Sequence, residues 1–155
     1  MNPTRRLSIV IYEVIRNILK EISSAPRKVQ HLSVLVLLIG LHSLLLGIFI
    51  FFFTELFYDL FFSAEIENFF FVRQAGLFLV CLGLFNLAII VEMKRYYYFV
   101  KVIIAAKSLA FFFLISHAHL AAWPPIIYAA AVGDGLMALV LIFFYRRAGF
   151  ITEKR

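Results

Sequence analysis

Near the N-terminus, apolar residues recur at spacings of three and four: Leu7, Val10, Ile11, Val14, Ile15, Ile18 and Leu19. That period marks one face of an α-helix. It predicts an amphipathic helix from Thr4 to Ile22, with Thr4 as N-cap and a basic flank of Arg5, Arg6, Arg16 and Lys20. Such a helix lies in the plane of a membrane interface and does not span it. The competing expectation is that it docks on a partner chain. Ser23-Ser24-Ala25-Pro26 ends it, because Pro26 cannot continue a helix and restricts the residue before it.

Beyond Pro26 the periodicity gives way to long apolar runs. Between Leu32 and Thr54 there is no Asp, Glu, Lys or Arg. A run of that length crosses a hydrocarbon core with some tilt. It predicts a first span over Leu32 to Phe57. A second follows over Val72 to Val91, a third over Tyr98 to Ala118, and a fourth over Pro125 to Tyr145. Trp123-Pro124-Pro125 makes the last turn, with Trp123 at headgroup level. Proline is tolerated at the first turn of the fourth span, where its missing N–H has no helical partner anyway. The expected fold is therefore all-α. Residues 1–30 form the amphipathic interfacial helix, 31–147 a polytopic membrane four-helix bundle, and 148–155 a short tail.

Composition leaves little choice of solvent. Of the 155 residues 64% are hydrophobic and only 15% charged, too few polar groups to cover a small globule in water. Phenylalanine, at 19 residues, is over-used and reads as lipid-facing and packing bulk; a pocket for a flat apolar ligand such as a quinone, carotenoid or sterol is the lesser reading. The single cysteine, Cys81, allows no disulfide within the chain and no dithiol redox pair. Glu13, Arg16, Lys20 and Glu21 interrupt the first helix, so it lacks the apolar centre of a signal peptide.

Charge sets the expected orientation. Lys and Arg gather before the first span, between the second and third (Lys94 and Arg95, with Lys101 just inside the third), and after the fourth (Arg146, Arg147, Lys154 and Arg155). The first-to-second connection is instead acidic, with Asp59, Glu65 and Glu67, and the third-to-fourth carries only His117 and His119. With four spans every basic segment falls on one side, which the positive-inside rule makes cytoplasmic. The expected location is the bacterial cytoplasmic membrane, with both termini cytoplasmic. The basic excess then reads as topology and contact with membrane lipids. Nucleic-acid binding is not expected, since neither a zinc motif nor an aromatic–basic groove accompanies the charge.

Two ionisable residues interrupt the last two spans. Lys107 and Asp134 each lie roughly ten residues from the outer end of their stretch, about 15 Å deep at the rise of an α-helix. That is close to the bilayer midplane. The third span runs outward and the fourth returns, so the two meet at similar depth as an intramembrane ion pair. Gly133 and Gly135 flank Asp134 and suit close helix approach. Such a pair fixes helix register, or serves a proton or ion step, or anchors a ligand headgroup. His42 and Asn86 fall at nearly the same depth and extend the set to a candidate midplane polar network. Facing separates them: Gly40, Ser43 and Gly47 share one face of the first span, and His42 points roughly opposite. Asn86 lies nearer the Gly76–Gly83 face, where an interhelical hydrogen bond suits it.

A further cluster lies at the outer interface. Arg73 and Gln74 open the second span, Glu67 is close in sequence, and Glu55 is a potential partner one turn inside the boundary. It reads as a surface charge cluster or as a site for an anionic headgroup. No metal site is expected, because His117 and His119 lack further ligands and no two histidines match in depth for a haem. There is no phosphate loop, no Ser/His/Asp set and no His-Glu-x-x-His.

Val72-Arg73-Gln74-Ala75-Gly76 opening one span, Lys107 inside the next and Gly133-Asp134 in the last resemble small four-helix bacterial membrane proteins. Over residues 32–147 the layout is similar to the DoxX-like bundles. That resemblance implies a setting among quinone-related redox systems. The amphipathic N-terminal helix is not part of the pattern. The expected function is non-enzymatic: an accessory or assembly subunit of a larger membrane protein complex, without a cofactor of its own but with a bound lipid or quinone as a possible ligand. A small proton-coupled transporter using Lys107 and Asp134, and a DoxX-like or isomerase-like enzyme, are the alternatives.

Overall fold

The computed structural model describes residues 3–62, 68–120 and 124–149. Among these, six helices follow one another: α1 Pro3–Ser24, α2 Arg27–Phe52, α3 Thr54–Phe61, α4 Phe70–Val91, α5 Met93–Leu120 and α6 Pro125–Arg147. Four of them, α2, α4, α5 and α6, are long and apolar enough to cross a membrane. The chain is an all-α integral membrane protein of four candidate spans.

Proline sets two boundaries. Pro26 sits before α2 with φ −54° and ψ 143°, and Pro124 before α6 with φ −56° and ψ 150°. Both hold the extended geometry that proline prefers just outside a helix. Trp123, expected at this second turn, lies outside the described residues.

The first span is shorter at its far end than its apolar run predicts. α2 stops at Phe52, and Phe53 breaks it with φ −116° and ψ 41°. The Thr54 hydroxyl reaches back to the Ile50 carbonyl at 2.6 Å and the Phe51 carbonyl at 3.1 Å. Such back-bonding bends helices, and the chain restarts as the short helix α3. Phe57 belongs to α3, where its ring meets Phe49 edge-on at 6.0 Å and Phe61 at 5.2 Å. The connection expected between the second and third spans is also absent: only Glu92 separates α4 from α5. Phe85 and Phe99, equidistant from Glu92, bring their rings to 5.4 Å, so the chain doubles back there. The Arg95–Glu92 ion pair at 3.2 Å beside this turn is exposed, and such pairs contribute little.

Packing divides the spans into two pairs. α2 lies mainly against α4, and α5 mainly against α6, with lighter contact between the pairs. On α2 the residues Ser33, Val36, Gly40, Ser43, Gly47 and Ile50 are buried, and Thr54 just beyond them, at alternating spacings of three and four. That is the heptad seam of closely packed helices. A Cβ placed on Gly47 would stand 2.6 Å from the Val80 amide nitrogen, and one on Gly83 2.7 Å from that of Leu44. The two backbones are therefore in direct contact. In lipid, where apolar burial does not drive association, this close van der Waals packing holds helices together.

The two pairs join at the end nearer the termini. Leu32, Val36, Ile39, Ile89, Ile90, Met93, Val100, Ile103, Leu141 and Tyr145 form one cluster there, drawn from all four spans. Ile18 and Ile22 of α1 seal it. Elsewhere on α1's apolar side Val14, Ile15 and Leu19 are exposed, the last two by more than half.

Candidate functional site

Lys107 lies near the middle of α5, and Asp134 lies in the half of α6 toward its N-terminus. Through their middles, residues 102–119 and 126–145, each helix carries a single Asp, Glu, Lys or Arg, which it presents to hydrocarbon or to its neighbour. The Lys107 Nζ donates a hydrogen bond to Asp134 Oδ1 at 2.6 Å, and the two side chains remain 14% and 16% exposed. In a low-dielectric interior this contact offsets much of the penalty of removing two charges from water. It links the middle of α5 to the N-terminal half of α6.

The two glycines around Asp134 act differently. Gly135 receives the Phe111 ring: a Cβ there would stand 2.9 Å from Phe111 Cδ2. α5 thus seats a large side chain on α6 one turn beyond the ion pair. Gly133 has nothing within 4 Å of where its Cβ would be. Beside the pair, Ser108, Phe111, Gly135, Leu136 and Leu139 line a groove of about 310 Å³. Its walls are apolar apart from the Ser108 hydroxyl, which the sequence reading did not single out.

The structure brings Lys107 and Asp134 together and does not join the other midplane candidates to them. His42 is exposed, although its neighbours Gly40 and Ser43 are buried. Asn86 is 4% exposed at the α2–α4 contact, where its Cβ stands 3.1 Å from where a Cβ on Gly40 would be. Among the described residues no hydrogen bond links His42 or Asn86 to the ion pair.

At the other end of the membrane-crossing region, Arg73 and Gln74 lie in the first turns of α4. Arg73 Nε donates to Thr54 Oγ1 at 3.4 Å, so among the described residues its partner is this hydroxyl and not Glu55, which is exposed. Glu67 lies outside the described residues. The Thr54 link is invisible in the sequence, where the two residues are far apart and threonine carries no charge. His117 is exposed and bonded to the Phe113 carbonyl at 3.1 Å, and the His31 ring lies tilted against that of Phe144 at 5.9 Å. No group of three or more potential metal ligands occurs among the described residues.

Comparison with family models, curated proteins and solved structures finds no match to this chain. Of the expected likeness to DoxX-like bundles, four candidate spans are shown and no family is identified.

Proposed function

We propose that the protein is a non-catalytic accessory or assembly subunit that packs against a larger partner in the membrane. The observation that carries this reading is Gly133. Gly40, Gly47, Gly76, Gly83 and Gly135 each stand where a Cβ would meet a neighbouring residue, but Gly133 faces open space. Glycine weakens a helix by about 1 kcal/mol relative to alanine, and among the described residues no contact uses its smallness here. Ala129, one turn earlier, is exposed as well. A small residue at each of two successive turns is the spacing that lets a second transmembrane helix approach closely.

The ion pair fits this role as a brace. It holds α5 on α6 so that the outward side of α6 is presented in one register. In this reading both termini face the cytoplasm, α1 rests at that interface, and lipid covers whatever the partner does not. The test is purification of the tagged full chain from its native membrane in mild detergent, beside Gly133→Leu. A stoichiometric partner that is lost in Gly133→Leu supports the proposal. A lone monomer from native membrane, or a partner retained by Gly133→Leu, overturns it.

A further inference from the structure

We propose that the pocket around Arg73 binds the anionic headgroup of a membrane phospholipid. Of the 15 lysines and arginines in the chain, all but Arg73 and Lys107 fall in sequence before the first span, around the turn between the second and third, or after the fourth. Lys107 is held by Asp134 at 2.6 Å. Among the described residues Arg73 is the one lysine or arginine at the end opposite the α4–α5 turn, where a cation works against the charge asymmetry that orients the chain. Its placement therefore needs a physical reason of its own.

Among the described residues Arg73 is a cation that is positioned but not neutralised. The Thr54 hydroxyl gives its hydrogen to the Ile50 carbonyl at 2.6 Å and accepts from Arg73 Nε at 3.4 Å. Thr54 is 2% exposed, so this anchor is fixed. It engages one of the five N–H donors of a guanidinium. The terminal nitrogens remain, and no carboxylate pairs with Arg73 among the described residues. The acidic side chains of α3, Glu55 and Asp59, are exposed and not bonded to it.

The space beside Arg73 has two characters. A pocket of about 600 Å³ is lined on its polar side by Arg73, Gln74 and Asn68, and on its apolar side by Phe51, Phe70 and Leu77. A guanidinium fork matches the oxygens of a phosphate. The amides of Asn68 and Gln74 add donors for the same group or for a glycerol. Phe51 and Leu77 continue down the spans, where an acyl chain would lie. A free anion would leave that apolar wall uncovered. A phospholipid with a net negative headgroup covers both sides, and it is supplied at this depth by the membrane itself.

The test is native mass spectrometry of the full chain released from mixed micelles holding equal amounts of phosphatidylglycerol and phosphatidylcholine. Wild type should retain phosphatidylglycerol preferentially. Arg73→Gln should lower its retention about tenfold, the scale of one charge-assisted hydrogen bond. Arg73→Lys should be intermediate, and Arg146→Gln with Arg147→Gln should leave this adduct in place. Leu77→Trp fills the apolar side with Arg73 intact and should also expel the lipid. It keeps the test decisive if Arg73→Gln fails to fold. Equal retention of the two lipids by wild type, unchanged retention by Arg73→Gln or Leu77→Trp, or displacement of the lipid by millimolar inorganic phosphate would each overturn the proposal.

Discussion

Gly47 and Gly76 meet backbone to backbone: a Cβ on Gly47 would stand 2.7 Å from the Gly76 carbonyl oxygen, and one on Gly76 3.0 Å from that of Gly47. Gly40 and Gly83 repeat the relationship one heptad away, at 3.3 Å and 2.9 Å. Neither helix can yield locally, because the opposing atoms are main chain. Gly47→Ala should therefore destabilise the fold by about 1–3 kcal/mol, the range for overpacking. Gly133→Ala meets nothing and should be neutral, or stabilising by up to about 1 kcal/mol from helix propensity. Reversible unfolding in mixed micelles, followed by circular dichroism, checks both. Equal responses at the two positions would refute the packing account.

Gly135 should fall between these extremes. The atoms in its way, Cδ2, Cε2 and Cγ, are one edge of the Phe111 ring, a side chain and not main chain. Gly135→Ala should be tolerated at a smaller loss than Gly47→Ala in the same assay. Combining it with Phe111→Leu should recover part of that loss, as expected for residues in contact.

The Lys107–Asp134 pair at 2.6 Å predicts a sharp asymmetry between single and double changes. Lys107→Met leaves a carboxylate in hydrocarbon with no partner, and removing one member of a buried pair costs roughly 3–5 kcal/mol. Lys107→Met with Asp134→Leu removes both charges and should regain most of that stability. The same unfolding measurement decides it: a double variant as unstable as the single one would mean that the pair does not brace α5 on α6.

How far these features could be read from the sequence depended on their range. The four spans were legible because each is a long run almost free of charge. The Gly40–Gly47 face and the depth match of Lys107 with Asp134 followed from helical spacing. The end of α2 did not, because Phe52, Phe53, Leu56 and Phe57 continue the apolar run through the break at Phe53. The Thr54–Arg73 bond crosses from one span to the next and leaves no periodic trace. The division into two pairs was equally hidden. A spanning helix is apolar on its lipid side and its packed side alike, so hydrophobic pattern cannot say which neighbour it chooses.

Helix α1 offers a separate check on the membrane surface. Ile18 and Ile22 tie it to the core, while Tyr12, Ile15 and Leu19 are 65%, 51% and 58% exposed. An amphipathic helix with a basic flank lays such a side into the headgroup boundary. In a Trp123→Phe background, Tyr12→Trp should give blue-shifted emission in liposomes. Lipids brominated near the headgroup should quench it more strongly than lipids brominated at the chain ends. Emission at the wavelength of free tryptophan would place α1 in water.

The last expectation concerns protons. A relay through Lys107 and Asp134 needs polar steps from the pair to both faces of the membrane. Toward the termini the spans close over Val36, Val100 and Leu141, all at 0% exposure, together with Ile39 at 2% and Ile103 at 4%. An aliphatic plug of that kind offers a proton no hydrogen-bonded path, and a charge without one faces the full penalty of the hydrocarbon. The full chain reconstituted alone in liposomes should therefore acidify an internal pH dye no faster than empty vesicles under an imposed gradient. Asp134→Asn should leave that trace unchanged. A wild-type flux abolished by Asp134→Asn in a still-folded protein would move the function from assembly to transport, with the ion pair as its working part instead of its brace.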